Sequence, residues 1–158
     1  MDIRIGFGFD VHKFAEGRKL VLCGVELDYP LGLLGHSDAD VGLHAIIDAM
    51  LSAAGLPDIG SLFPDTDPNL KGISSDKLLY EAKEKVFKRG FKVAQVDLTF
   101  VCDEPKLSPY YGAMKKKLAE LLELEEELIS VKARRTEGVF GGKEKGITCF
   151  CSLILKKA

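Results

Sequence analysis

Two short groups of acidic and imidazole side chains are spaced as a metal site would need them. Asp40, His44 and Asp48 follow one another at intervals of four, so on a helix they share one face. Asp10 and His12 alternate at the end of an opening apolar stretch, and on a strand both side chains point the same way. His36 lies just before the expected helix, where a charged group could also use free backbone amides. All 3 histidines of the chain fall in or beside these two elements. Asp10, His12 and His44 make a chemically reasonable ligand set for zinc, with one coordination position left for water or substrate. Asp40 and Asp48 are then candidates to orient those ligands from behind. Cobalt, manganese and ferrous iron suit the same donors. A plainer reading stands beside this one: His44 as a satisfied core histidine, Asp40 as a first-turn carboxylate and Asp10 as a turn cap. Asp48 fits it least well, because an unpaired carboxylate buried in an apolar helix is costly.

Two further groups carry chemistry. Asp58, Gly60, Asp65 and Asp67 lie in LPDIGSLFPDTDPNLKG, a long segment rich in helix and strand breakers. Carboxylates and exposed amides suit sugar hydroxyls, although the same residues are ordinary turn-formers. The segment lacks the alternating oxygen ligands and closing glutamate of an EF-hand. Lys132, Arg134, Arg135, Thr136 and Glu137 follow a β-rich run. Arginine pairs with phosphate oxygens, threonine can donate to them, and glutamate can hold magnesium or manganese bridging phosphates. The alternative is a charged edge strand. The glycine-rich GVFGGKEKG matches neither a phosphate-binding GxxxxGK[ST] loop nor the dinucleotide GxGxxG.

The elements that must position these residues can be read from periodicity and punctuation. Ile3–Phe9 reads as a strand ending at Asp10-Val11-His12, and Leu20–Cys23 with Val25–Leu27 as a hairpin around Gly24. Ser37 reads as the N-cap of a helix running to Gly55, with Asp40 in a capping-box place. Ser74 starts a second helix through about Arg89, and Ser108-Pro109 a third. Strands are expected over Val93–Cys102, Leu128–Ala133 and Gly146–Leu155, the last with Cys149 and Cys151 as core thiols. This order predicts an α/β (α+β) fold, a mixed sheet with helices on one face. The 158 residues suit a single domain over 1–158. With 22 basic against 24 acidic side chains, nothing points to a nucleic-acid polymer. No window is apolar enough for a membrane span or signal peptide. The expected location is the cytoplasm, or an organellar stroma if a transit peptide has been removed.

GFDVHKF at 8–14, GLLGHSDADVGLHAIIDAMLSAAGLPDIGSLFPDTDP at 32–68 and VKARRTE at 131–137 together resemble the 2-C-methyl-D-erythritol 2,4-cyclodiphosphate synthase family. At this length, with no fused cytidylyltransferase domain, the resemblance is to its monofunctional form. It implies a ferredoxin-like sheet and a homotrimer whose active sites lie at subunit boundaries. It also implies conversion of a cytidine-diphosphate-linked substrate to a cyclic diphosphate and CMP. Asp10, His12 and His44 match the family's zinc ligands and Glu137 its magnesium or manganese ligand. His36 and Arg135 are the candidate catalytic positions. Asp10 and His12 also belong to the substrate site, His36 and Ser37 match groups near the 2-phosphate and methylerythritol end, and Asp58, Ile59, Gly60, Phe63, Asp65 and Asp67 match a loop facing the erythritol or the nucleotide. The stretch 102–107, with Cys102, Lys106 and Leu107, matches part of the cytosine pocket, and Arg134, Arg135, Thr136 and Glu137 match the phosphate side of the nucleotide. Phe140 and Lys143 match a cavity on the trimer axis. Arg134 and Arg135 depart from the family's usual threonines, and VFGGKEKG departs from its usual FTGR-containing segment. Rival readings are another metal-dependent phosphate hydrolase and a non-catalytic trimeric scaffold.

Overall fold

A computed structural model describes residues 2–139 and 145–158. The long strands are β1 (Ile3–Ala15), β5 (Phe91–Val101), β6 (Ile129–Arg134) and β7 (Gly146–Lys157). Short strands β2 (Leu20–Leu22), β3 (Val25–Leu27) and β4 (Gly32–Leu33) follow β1. The helices are α1 (Val41–Ala53), α2 (Ile59–Leu62), α3 (Ser75–Lys88) and α4 (Tyr111–Leu122). The main sheet has the order β4-β1-β7-β5-β6, and β2 pairs with β3 as a separate hairpin. β7 is antiparallel to both β1 and β5, whereas β5 and β6 run parallel.

The expectation of a mixed sheet with helices on one face holds, but the ferredoxin-like label does not. That arrangement runs β-α-β-β-α-β. Here α4 intervenes between β5 and β6, making them a parallel crossover pair, since parallel neighbours need a long connection rather than a hairpin. The remaining strand, β7, inserts between β1 and β5.

Alternation along the strands separates the two faces. Cys149, Cys151, Leu153 and Leu155 on β7 and Val96, Leu98 and Phe100 on β5 are buried beneath the helices. All four cysteines are free and buried, as core thiols should be. On β1 the helix-facing positions include Gly6 and Gly8, and their small size lets α1 lie directly on the strand. A Cβ at Gly8 would come 2.5 Å from the Ala49 nitrogen and 2.6 Å from the Ala45 oxygen. The opposite face of β1 carries Ile3, Ile5, Phe7, Phe9 and Val11, each more than half exposed. Phe150 of β7 stacks between Phe7 and Phe9, with ring centroids 6.1 and 5.9 Å away. Among the described residues no helix is long and apolar enough to cross a membrane.

The helix expected from Ser37 begins at Val41, because Asp40 is its N-cap. Oδ1 of Asp40 accepts from the amides of Leu43 at 3.0 Å and Cys23 at 2.9 Å, and Oδ2 accepts from Gly24 at 2.7 Å. Asp40 thus ties α1 to the β2–β3 turn. Burial pushes its carboxyl up to about 6, against the three amides that favour the ionised form.

Candidate metal centre and neighbouring cavities

The close seating of α1 on β1 determines what meets at the end of the sheet. His44 projects from the first turns of α1 toward Asp10 and His12 on β1. His12 Nε2 lies 3.0 Å and His44 Nδ1 3.1 Å from the same oxygen, Asp10 Oδ2. One ligand atom from each residue lies within 4.8 Å of the other two. All three side chains are half-buried, one wall against the core and one toward a cavity. Two imidazoles and a carboxylate converging on one point fit a tetrahedral zinc with an open position.

The outer hydrogen bonds orient both imidazoles. His12 Nδ1 donates to the Leu34 carbonyl at 2.7 Å, leaving Nε2 for Asp10. His44 uses the opposite nitrogen, and its Nε2 lies 2.9 Å from Ser75 Oγ and 3.2 Å from Ser37 Oγ. Burial works to raise the Asp10 carboxyl, but its bonds to His12 and His44 outweigh that and leave it below the ordinary value. The His12 imidazole is held above its ordinary value by its hydrogen bond to Asp10, with burial opposing. Asp48 lies against β1, where the Phe9 amide donates to its Oδ2 at 3.4 Å, and burial pushes its carboxyl up. Asp40 is engaged with three amides away from the ligands, and its place is structural.

The centre opens into a cavity of about 400 Å³ lined also by His36, Ser37, Ile59, Gly60, Phe63 and Asp65. The loop residues matched to the erythritol or nucleotide side are therefore brought to the three ligands. Asp58 and Asp67 play a different part. Asp58 caps α2 through Ser61 N at 2.8 Å, and Asp67 caps the short turn at 68–70 through Asn69 N at 2.9 Å. His36 Nε2 lies 3.3 Å from the Asp67 carbonyl, which pins the loop across the cavity.

A second cavity, about 320 Å³, is lined by Cys102, Lys106, Leu107, Arg134 and Arg135 with Asp103 and Tyr111. None of its lining is shared with the first. Asp103 joins its two walls, accepting from Thr136 N at 2.8 Å and Thr136 Oγ1 at 2.6 Å. Glu137 follows at a φ of 54°, where the chain turns into Gly138. Phe140 and Lys143 lie outside the described residues.

The sequence reading passed over several residues that build the site. Ser75 was hidden beside Ser74 as a helix start, yet it is fully buried against His44. Asp38 accepts from the Ser75 amide at 3.0 Å and from its hydroxyl. Arg18 donates to the Gly35 and Ser37 carbonyls, at 3.2 and 2.6 Å, fixing the strip that carries His36. An arginine in a glycine-flanked turn gives no local signal of that reach. Asp103, by contrast, lies inside the 102–107 stretch that the resemblance marks.

Comparison with known proteins agrees with this geometry. A 2-C-methyl-D-erythritol 2,4-cyclodiphosphate synthase of Halalkalibacterium halodurans is 51% identical over 156 residues, covering 98% of this chain and 99% of that one. The enzyme of the same name from Ralstonia pickettii is 51% identical over 159 residues, covering 100% and 95%. A solved 2C-methyl-D-erythritol-2,4-cyclodiphosphate synthase in its CDP-bound form superposes with a TM-score of 0.89 at 41% identity, covering 97% of this chain and 100% of that chain. The YgbB family pattern matches residues 3–156, essentially all of the sheet and every residue of the candidate centre. On that match, and on relatives about half identical along nearly their whole length, the chain belongs to the YgbB family.

Proposed function

We propose that this chain is a lyase that cyclises 4-diphosphocytidyl-2-C-methyl-D-erythritol 2-phosphate to 2-C-methyl-D-erythritol 2,4-cyclodiphosphate and releases CMP. The observation that carries the reading is the convergence of Asp10, His12 and His44 on a cavity lined by both polar and apolar residues. It is supported by relatives named for that reaction and by a similar structure solved with CDP.

In the reaction, an oxygen of the 2-phosphate attacks the β-phosphorus, and the bond from that phosphorus to the bridging oxygen breaks. CMP leaves with that oxygen, so no side-chain nucleophile is needed. Asp10, His12 and His44 would hold a zinc ion, which would supply Lewis acidity toward the β-phosphate when bound. His36 and Ser37 hold the phosphate-bearing end against the ligands, and Ile59, Gly60, Phe63 and Asp65 enclose the erythritol. Arg134, Arg135 and Thr136 position the nucleotide phosphates, the two arginines through ion pairs and the threonine through its hydroxyl. Glu137 is the residue to hold magnesium or manganese. Most of the acceleration then comes from holding two ends of one flexible molecule in line.

The two cavities supply the two halves of such a site, and in a homotrimer one half would come from a neighbouring subunit. The bare face of β1 and β7 supports that assembly. Five large apolar residues in a row, each more than half exposed, are a surface that a partner commonly covers. The trimer and a cytoplasmic location belong to this reading.

Incubation of the metal-loaded protein with the substrate tests it. CMP and the cyclic diphosphate should appear in equal amounts without inorganic phosphate. Release of phosphate would identify a hydrolase instead, and nucleotide binding without turnover a scaffold.

A further inference from the structure

We propose that Arg18 is a positioning residue: its hold on two backbone carbonyls turns the His36 amide toward the cavity as a donor to a phosphate monoester. The inference deepens the proposed function, in which that monoester is the substrate's 2-phosphate lying against His36 and Ser37. The two arms of the guanidinium are used separately. Nη1 donates to the Gly35 carbonyl at 3.2 Å and Nη2 to the Ser37 carbonyl at 2.6 Å. Those carbonyls flank His36, and charge-assisted bonds of this kind are roughly twice as strong as neutral ones.

The other bonds of the strip show which way its amides point. In a planar trans peptide the carbonyl and the following N–H are opposed. With the Gly35 and Ser37 carbonyls held by Arg18, the amides of His36 and Asp38 leave from the opposite edge. The Asp38 amide does so, reaching the Ile73 carbonyl at 3.3 Å, and on the same edge the His36 carbonyl accepts from Gly72 at 2.9 Å. The His36 amide is therefore directed to the side where Leu70 and Ile73 line the first cavity. Among the described residues no backbone acceptor meets it.

Arg18 is itself set by close packing of backbone. It lies in the turn between β1 and β2, and a Cβ at Gly32 of β4 would come 2.5 Å from the Lys19 oxygen and 2.6 Å from the Arg18 oxygen. The turn thus rests on the strand that leads into the strip. The side chain is half-buried, and among the described residues it makes no ion pair. Its charge reaches the strip through the two carbonyls. Hydrogen bonds in series polarise one another, so a carbonyl held by a cation makes the N–H of the same peptide a better donor to an anion.

The test titrates methyl phosphate into ¹⁵N-labelled, zinc-loaded wild type, Arg18→Ala and Arg18→Lys, and follows the His36 amide. In wild type that amide proton should move downfield as the anion binds. R18A should bind about tenfold more weakly, the scale of a lost charge-assisted contact, with its zinc content unchanged. Guanidinium chloride at millimolar concentration should restore part of the affinity by reoccupying the place between the two carbonyls. Lysine brings the charge on one nitrogen instead of a fork, so R18K should fall between, and it carries the test if R18A does not fold. A merely structural Arg18 would lower the melting temperature and leave both the affinity and the His36 shift as in wild type. That result overturns the inference, as does a weakening that comes only with loss of zinc. Arg18-dependent binding of methyl phosphate by a protein that cyclises no substrate would remove the proposed reaction and uphold the inference.

Discussion

Asp10 and His44 are separated by 34 residues, yet Asp10 Oδ2 and His44 Nδ1 lie 3.1 Å apart. The pairing follows from packing. Gly6 and Gly8 remove the side chains that would hold α1 away from β1, and the helix comes down with His44 level with Asp10. His12, two residues along the strand, reaches the same carboxylate oxygen at 3.0 Å.

Gly8→Ala tests that packing. Its Cβ would meet backbone atoms of α1 at 2.5 and 2.6 Å, which cannot rotate away as a side-chain tip could. Overpacking of this kind costs about 1–3 kcal/mol, read as a lower urea midpoint at unchanged m-value. Zinc affinity should weaken in the same variant as α1 shifts. Wild-type stability in G8A would mean that helix and strand are not in such close contact.

Metal-free protein should show a specific pH dependence. The His12 imidazole is raised above its ordinary 6.5, chiefly by its hydrogen bond to Asp10. Its contribution to stability is therefore complete below 6.5 and is lost as pH rises through the higher folded-state value. The Asp10 carboxyl, lowered by the bonds to both histidines despite burial, contributes above its ordinary 3.8 and loses that contribution as pH falls through the lower folded-state value. Subtracting the melting profile of D10N from that of wild type should leave a benefit that declines as pH rises from about 6.5 through the higher folded-state value of His12. Zinc affinity should rise over the same interval, because the ligands must shed protons to bind it. A wild-type advantage that grows over this interval would contradict the Asp10–His12 pairing.

Phe7→Glu places a charge in the bare apolar face, where Phe7 stacks with Phe150 at 6.1 Å. If that face joins three subunits, sedimentation velocity should show wild type as a trimer and F7E as a monomer. The variant should keep zinc, whose ligands lie on the other side of β1, but lose turnover with the neighbour's half of the site. A trimeric F7E would place the subunit contacts elsewhere.

Arg135→Ala should weaken CMP binding roughly tenfold, as expected for losing a charge-assisted phosphate contact. Calorimetric titration of wild type and R135A checks this. Equal affinities would show that Arg135, although it lines the second cavity, leaves phosphate recognition to Thr136 and backbone amides.

Much of the centre was legible because its signals are local. Period-two spacing put Asp10 and His12 on one side of a strand, and helical spacing put His44 on one face with Asp40 and Asp48. Strand alternation likewise separated buried Cys149 and Cys151 from less buried neighbours. Asp40 illustrates the limit, since its spacing from His44 suits a ligand-orienting role, but helix formation starts one residue later and turns it into a cap. Asp38 and Ser75 were illegible for a different reason. They are 37 residues apart, and their meeting depends on where α3 docks against α1. The sheet order was missed in the same way, because β6 and β7 follow each other in sequence without being neighbours in the sheet.

The most direct measurement is an anomalous-scattering map at the zinc edge from crystals of the zinc-loaded protein. The account predicts one peak in each subunit, about 2.0–2.2 Å from Asp10 Oδ2, His12 Nε2 and His44 Nδ1. A peak bound elsewhere, with these three side chains bonded only to one another, would contradict it.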